Sequence, residues 1–298
     1  MSDQTPLIQE LVHDAGSHAV LMLHGLGAAP FELARLAQEA HQEGFSVRVP
    51  AIEGYCYGST PQAWTHWRDQ VLDHYWDCKK KFETVSVLGV SMGATLALHL
   101  GEIETPTSVV ALSAALGYDG WAIPWYHSLI SLASWFPFAG RYEYVEREPY
   151  GLKNRETRAM IKRMLQSQHI SEVGAETLSL PLILEGRKLI RAVKTDAQKI
   201  QSPLLFIHAI DDESVHVRNP ELIHRKARSK DKEFIYLGDS YHMITIDNER
   251  DTVNQETARF LKKSVNQQLE KPAFEVAPIK SSHLRRLLRK IQSQVFQI

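Results

Sequence analysis

Three side chains in this sequence have the types and spacing to move a proton and attack a carbonyl: a serine, an aspartate and a histidine. Ser91 sits in Gly89-Val90-Ser91-Met92-Gly93. Before it runs Thr84 to Leu88, short, apolar and β-branched; after it runs Met92 to His99, rich in Ala and Leu. The first run suits a central parallel strand buried on both faces, and the second is made of good helix formers. A serine on so sharp a strand-to-helix corner holds its Oγ out over the sheet edge. Side chains two residues to either side would collide there, which is why glycine stands at 89 and 93. The hydroxyl becomes a nucleophile when a base takes its proton and a carboxylate orients that base.

For a corner of this kind the partners follow in the order acid, then histidine. The acid is expected after a late strand. Pro203 to Ala209 reads as one, and it opens into Ile210-Asp211-Asp212-Glu213-Ser214-Val215. The base is expected after the last strand, Glu233 to Leu237, which leads into Gly238-Asp239-Ser240-Tyr241-His242. Both loops leave the carboxyl ends of parallel strands, on the rim that carries Ser91, where such sheets bind ligands. His242 is the expected base. His208 falls inside a strand and reads as a core histidine, while His216 and His224 follow the acid too closely to act from the last strand. The negative oxygen of a tetrahedral intermediate needs two backbone N–H donors, one of them from the residue after the nucleophile, Met92.

The elements that must position these residues alternate. From about 17 to 114 the order reads strand, helix, strand, helix, strand, helix, strand, which implies a parallel sheet with helices on both faces. The alternation stops at about 115. Trp121 to Gly140 is aromatic and free of Lys, Arg, Asp and Glu; 154–168 and 179–197 read as helices, the second with Pro181 in its first turn. Residues 115–199 show no strand pattern and are expected to form a helical cap inserted into the core, 1–114 and 200–270. The uncharged stretch suits an apolar lining for an acyl group or the insertion's own core.

Bulk composition narrows the function classes. The 298 residues carry a net charge of −1, which gives no electrostatic footprint for nucleic acid. Two cysteines, Cys56 and Cys78, make neither a disulfide framework nor a metal set. The opening Met-Ser-Asp-Gln-Thr-Pro lacks a basic and an apolar region, so no signal peptide is expected and a cytoplasmic location is the default. The uncharged stretch around 121–140 contains Pro124, Pro137 and His127 and does not read as a transmembrane helix. After Lys271 the register changes. Leu284, Leu287, Leu288, Ile291 and Val295 recur at helical spacing with Arg285, Arg286, Arg289 and Lys290 between them. Such a basic amphipathic tail, 271–298, can dock on its own body, on a second copy, or on an anionic membrane.

The motifs together resemble the α/β-hydrolases, and within them the bacterial carboxylesterase and monoacylglycerol-lipase-like group. The resemblance rests on His24-Gly25-Leu26-Gly27, Gly89-Val90-Ser91-Met92-Gly93, Asp212-Glu213-Ser214-Val215 and Ser240-Tyr241-His242-Met243-Ile244-Thr245-Ile246-Asp247, with Trp67-Arg68-Asp69 as a further match. It covers about residues 17 to 265. It implies a serine ester hydrolase with no metal or organic cofactor, acting on a small-molecule ester through an acyl-enzyme. It favours Asp212, by the Asp-x-x-Val spacing to Val215, over Asp211; Asp211 or Glu213 is then expected to be a solvated loop carboxylate. It puts the second oxyanion donor at Leu26. Asp247 is expected to cap the last helix. The sequence departs from the group at Gly54-Tyr55-Cys56-Tyr57-Gly58, where a Gly-His-Gly is usual.

Overall fold

Alternating apolar strands must be covered on both faces, and the chain does this with one twisted sheet. A computed structural model describes residues 9–123, 143–171, 174–269 and 273–276. The elements begin with β1 (Leu11–His13), β2 (His18–Leu23), α1 (Ala34–Gln42), β3 (Ser46–Val49), α2 (Trp64–Lys81), β4 (Thr84–Val90), α3 (Met92–Ile103) and β5 (Val109–Leu112). They resume after the insertion with β10 (Leu204–Ala209), α6 (Arg218–Lys226), β11 (Lys232–Leu237) and α7 (Arg250–Gln268). Sheet order is β1-β3-β2-β4-β5-β10-β11, parallel throughout except for the antiparallel edge pair β1–β3. The edge strand β1 is three residues long, too short to leave a periodic signal, and is not among the expected strands.

Successive residues of each strand go to opposite cores. Val85 and Val87 of β4, with Ala111 of β5 and Phe206 of β10, pack against Trp67, Val71 and Tyr75 of α2 and against α3. Leu88 and Val90, with Leu112 and Ile207, pack against Leu36 and Ala37 of α1 and Phe260 and Leu261 of α7. Full burial on both faces is why these strands read as continuous apolar runs rather than alternating ones.

The chain passes from β2 outward to β3, then returns across the sheet to β4 and continues the other way. The strand order therefore reverses between β2 and β4, and the crevice of a doubly wound sheet opens there. His24-Gly25-Leu26 leaves β2 and Ser91 leaves β4, so the two loops lie side by side.

The insertion joins β5 to β10. It holds α4 (Arg155–Gln168) and α5 (Leu180–Asp196), as the helical periodicity predicts. It also holds two antiparallel pairs where no strand is expected: β6 (Glu143–Val145) with β9 (Thr177–Ser179), and β7 (Ile170–Ser171) with β8 (Gly174–Ala175). Strands of two or three residues carry no readable period. Of the uncharged stretch, only Trp121 to Ile123 lie within the described residues; Trp121 is 63% exposed and donates Nε1–H to the Asp211 carbonyl. Most of the tail also lies outside the described residues. Its beginning folds back on the core, with Phe274 stacked on Phe45 and the backbone of Ala273 and Phe274 held by the Asn266 side chain. No described helix is long and apolar enough to cross a membrane.

The glycines of the corner are forced by backbone, not by flexible neighbours. A Cβ on Gly93 would stand 2.1 Å from the Leu23 carbonyl oxygen, and one on Gly89 2.1 Å from that of Gly93. Gly93→Ala is expected to cost more than the about 1–3 kcal/mol usual for overpacking, read as a lowered urea midpoint. Gly58→Ala is the comparison: its Cβ meets nothing within 4 Å and only the φ of +75° is strained, a cost of about 1–2 kcal/mol. A Gly93→Ala midpoint no lower than that of Gly58→Ala would contradict this packing.

Candidate active site

Ser91 takes φ 53° and ψ −118°, a conformation costly for any side-chain-bearing residue and characteristic of a nucleophile corner. It is held there by Ser91 N–H donating to the Leu112 carbonyl at 2.9 Å and by the Ala115 N–H on its own carbonyl at 3.0 Å. His242 Nε2 lies 2.9 Å from Ser91 Oγ, and His242 Nδ1 lies 2.8 Å from Asp212 Oδ2. Asp212 is buried, and its Oδ1 accepts the Ser214 and Val215 N–H groups at 2.9 and 2.8 Å. The spacing to Val215 is thus a turn in which the acid grips its own loop. Asp211 points away, its carboxylate 3.2 Å from Lys153 Nζ.

His208 is buried in β10 as expected of a core residue, but it is not idle. Its Nε2 donates to the Val215 carbonyl at 3.0 Å and stands 3.2 Å from Asp212 Oδ2, so it braces the acid from behind. A carbonyl only accepts, which places the proton on Nε2. Burial holds the His208 pKa below the ordinary value.

Two carboxylates differ from expectation. Glu213 is not solvated: it is 4% exposed and accepts the His242 N–H at 3.0 Å and the Ser214 Oγ–H at 3.0 Å. The tight turn that aims Asp212 outward from β10 turns the next side chain under the histidine loop. Asp247 does not cap α7 through its side chain. Its fully buried carboxylate accepts three backbone N–H groups, from Lys153 and Asn154 at the root of α4 and from Tyr241 beside His242, each at 2.8 Å. The cap and the histidine loop therefore share one acceptor. Met243 N–H donates to the Gly151 carbonyl at 2.8 Å and reinforces the same joint.

Leu26 and Met92, the residues expected to supply the oxyanion donors, line one pocket with Ser91 and His242. Among the described residues neither N–H has a protein acceptor. Gly27 N–H by contrast donates to the Tyr55 carbonyl and Ala28 N–H to that of Gly25, at 3.1 and 3.2 Å. The departure at Gly54 to Gly58 fills the space behind this loop: Tyr55 is buried, its hydroxyl donating to the His24 carbonyl at 2.7 Å, and Trp67 Nε1–H reaches the Gly54 carbonyl at 2.9 Å. Asp69 pairs with Arg68 on the surface.

Apolar residues from the insertion, Ile123, Leu178 and Ile183, form one wall of the pocket, and Glu32, Glu146 and Glu213 also line it. No Lys or Arg does among the described residues. Burial pushes Glu32 and Glu146 up to about 7, and Glu213 is raised by burial and by the Asp212 charge. Burial alone would depress His242, but the charge and hydrogen bond of Asp212, followed by Glu213 and Glu146, raise it to about 9. Burial would raise Asp212; the opposing pull of His242 holds it below the usual carboxylate range. No group of three or more His, Cys, Asp or Glu is placed to hold a metal ion among the described residues.

Two measurements check this geometry. An NMR titration of the His242 imidazole in the free protein is expected at about 9, and Asp212→Asn is expected to lower it; a midpoint at the ordinary value of about 6.5 contradicts the arrangement. Asp247→Ala removes the acceptor of three N–H groups, at about 1–3 kcal/mol for each one left unsatisfied. Amide exchange at Lys153, Asn154 and Tyr241 is expected to accelerate together, and unchanged rates would rule out the shared anchor.

Comparison with known proteins places the chain. A family model described as serine aminopeptidase, S33 (Hydrolase_4) matches residues 15–251. A carboxylesterase of Bacillus subtilis (strain 168) is 25% identical over 255 residues, 83% of this chain and 94% of that one. A thermostable monoacylglycerol lipase of Bacillus sp. (strain H-257) is 25% identical over 271 residues, 88% and 99% of the two chains. A structure from work on LipS and LipT, two metagenome-derived lipolytic enzymes, matches with a TM-score of 0.71 at 20% identity, over 87% of this chain and 98% of that one. Paleococcus ferrophilus monoacylglycerol lipase matches with a TM-score of 0.71 at 17% identity, over 86% and 98%. These structures share the α/β-hydrolase fold. With its strand order, its corner serine and a family match spanning most of its length, the chain belongs to the Hydrolase_4 (serine aminopeptidase, S33) family, in the carboxylesterase and monoacylglycerol-lipase-like group of α/β-hydrolases.

Proposed function

We propose that this hydrolase cleaves carboxylic esters of small to medium acyl chains, or monoacylglycerols, through an acyl-enzyme on Ser91. The observation that carries the reading is the His242 ring bridging Ser91 Oγ at 2.9 Å and Asp212 Oδ2 at 2.8 Å. Neutral His242 takes the Ser91 proton on Nε2 as Oγ attacks the ester carbonyl. Asp212 accepts from Nδ1–H, fixes the tautomer and stabilises the imidazolium. Leu26 and Met92 N–H receive the oxyanion. The imidazolium then protonates the departing alcohol oxygen. Water, deprotonated by the same nitrogen, releases the acid and restores Ser91. The Bacillus relatives support the ester and glyceride substrates, and the apolar wall of Leu178 and Ile183 supports an acyl chain.

A second reading is hydrolysis of an amino-terminal amide. It is favoured by the family description and by the carboxylates of Glu146 and Glu213 in a pocket without a described cationic side chain, which suits a protonated amine. Rates on p-nitrophenyl butyrate, monobutyrin and aminoacyl anilides, compared on one preparation, separate the two. The basic part of the tail, outside the described residues, is a candidate for contact with a membrane or a second copy.

Ser91→Ala is expected to lower p-nitrophenyl butyrate turnover by at least about 10³-fold, and a fluorophosphonate is expected to label wild type at Ser91 and spare the variant. Unchanged turnover in the variant would sink this mechanism. Because only neutral His242 accepts the proton and its pKa is raised to about 9, the cation prevails at neutral pH. The kcat/KM is therefore expected to rise with pH and level off above about 9; a plateau already reached at pH 7 contradicts it.

A further inference from the structure

The Leu26 N–H is aimed by its neighbours. Gly25 lies between two sets of contacts. Its carbonyl accepts His24 Nδ1–H at 2.9 Å and Ala28 N–H at 3.2 Å. A trans peptide points its N–H opposite to its carbonyl, so these donors turn the Leu26 N–H away from them and toward the pocket. The N–H of Gly25 itself is held from the other side by the Glu32 carboxylate. Of the four N–H groups in 25–28, only that of Leu26 is left without an acceptor among the described residues.

Glu32 stands on a 3-10 turn, Pro30–Leu33, that follows the loop directly, and it is 6% exposed. Among the described residues only one of its oxygens is used, on Gly25. A buried carboxylate is an expensive way to accept one N–H, since a neutral amide oxygen would do the same. Among the described residues the opposite charge it faces is His242, which lines the same pocket and whose positive form opposes the burial that raises Glu32. The other charged groups around His242 are Asp212 and Glu213 after β10 and Glu146 after β6, with His208 behind Asp212.

We propose that Glu32 is a positioning residue for the acyl-transfer reaction: its carboxylate fixes Gly25 so that the Leu26 N–H meets the oxyanion, and its charge favours the imidazolium form of His242. The proposal rests on the reading of Ser91, His242 and Leu26 given under Proposed function. It assigns a task to a buried acid that the proton transfers do not use, and it explains why an acid stands there.

Three variants separate position from charge. Glu32→Gln keeps an acceptor oxygen and removes the charge. Its plateau kcat on p-nitrophenyl butyrate is expected within about threefold of wild type, with the pH limb of kcat/KM moved down by about 0.5 unit or more. Glu32→Asp keeps the charge and draws the acceptor back by one methylene. Its kcat is expected to fall about 10- to 100-fold, part of the loss seen when an oxyanion donor is removed, with KM changed less than about threefold and the limb in place. Glu32→Ala is expected to show both effects, and thermal melting checks its folding; if it does not fold, the Gln and Asp pair still reads both. Affinity for a trifluoromethyl ketone, whose adduct carries the oxyanion, is expected to fall with kcat in the Asp variant. Wild-type kcat in Glu32→Asp, an unmoved limb in Glu32→Gln, or equal kcat losses in the two would overturn the proposal. Failure of the fluorophosphonate to label wild-type Ser91 would instead overturn the underlying reading of the site.

Discussion

The structure depends on one close approach of backbone to backbone. The first turn of α3 sits directly on the carbonyl end of β2, with the space between them too small for a methyl group at Gly93. That contact exists because the strand order reverses between β2 and β4, leaving their loops as neighbours at the top of the sheet. The strained backbone of Ser91 is tolerated because β5 and the chain after it hold both its N–H and its carbonyl. Ser91 and Leu26 thus line one pocket because of the same few atoms. Larger side chains at the corner would push Ser91 away from the loop that follows β2.

The second organising feature is negative charge. Asp212 holds the His242 ring from behind and Glu213, Glu146 and Glu32 line the same pocket as it, and no Lys or Arg among the described residues lines that pocket to balance them. Asp212 keeps its charge because two backbone N–H groups and His242 solvate it in place of water. Glu32 and Glu146 lack that degree of solvation and are pushed toward neutrality. Such a field stabilises a histidinium more than a neutral ring.

Much of this was legible from the sequence because the central strands are buried on both faces and the helices are long. β4 and β10 declare themselves as apolar runs, the half-buried edge strand β11 as a shorter one from Phe234 to Leu237, and the loops that follow them carry Ser91, Asp212 and His242. What escaped reading was set by tertiary contact. Glu32 resembles an ordinary acid in the first turn of a helix, where a carboxylate is common. Nothing local in Asp211-Asp212-Glu213 shows that the third acid is buried beneath a loop from another strand. Asp247 looks like a cap because it precedes α7 by three residues, but two of its three N–H donors, Lys153 and Asn154, lie more than ninety residues back. The strands of the insertion are too short for any period to show.

The shared anchor at Asp247 bears on how new specificities can arise in this scaffold. An insertion between β5 and β10 looks like an exchangeable module, open to replacement by recombination at its two ends. Its root at 151–154 is nevertheless keyed into the loop that carries His242. A foreign cap spliced at residues 115 and 199 would leave that carboxylate only the Tyr241 N–H of its three donors and would loosen the loop that carries His242. Viable exchanges would have to keep the 151–154 segment or replace the 241–247 loop with it, because the two are joined through one backbone hydrogen bond and one carboxylate.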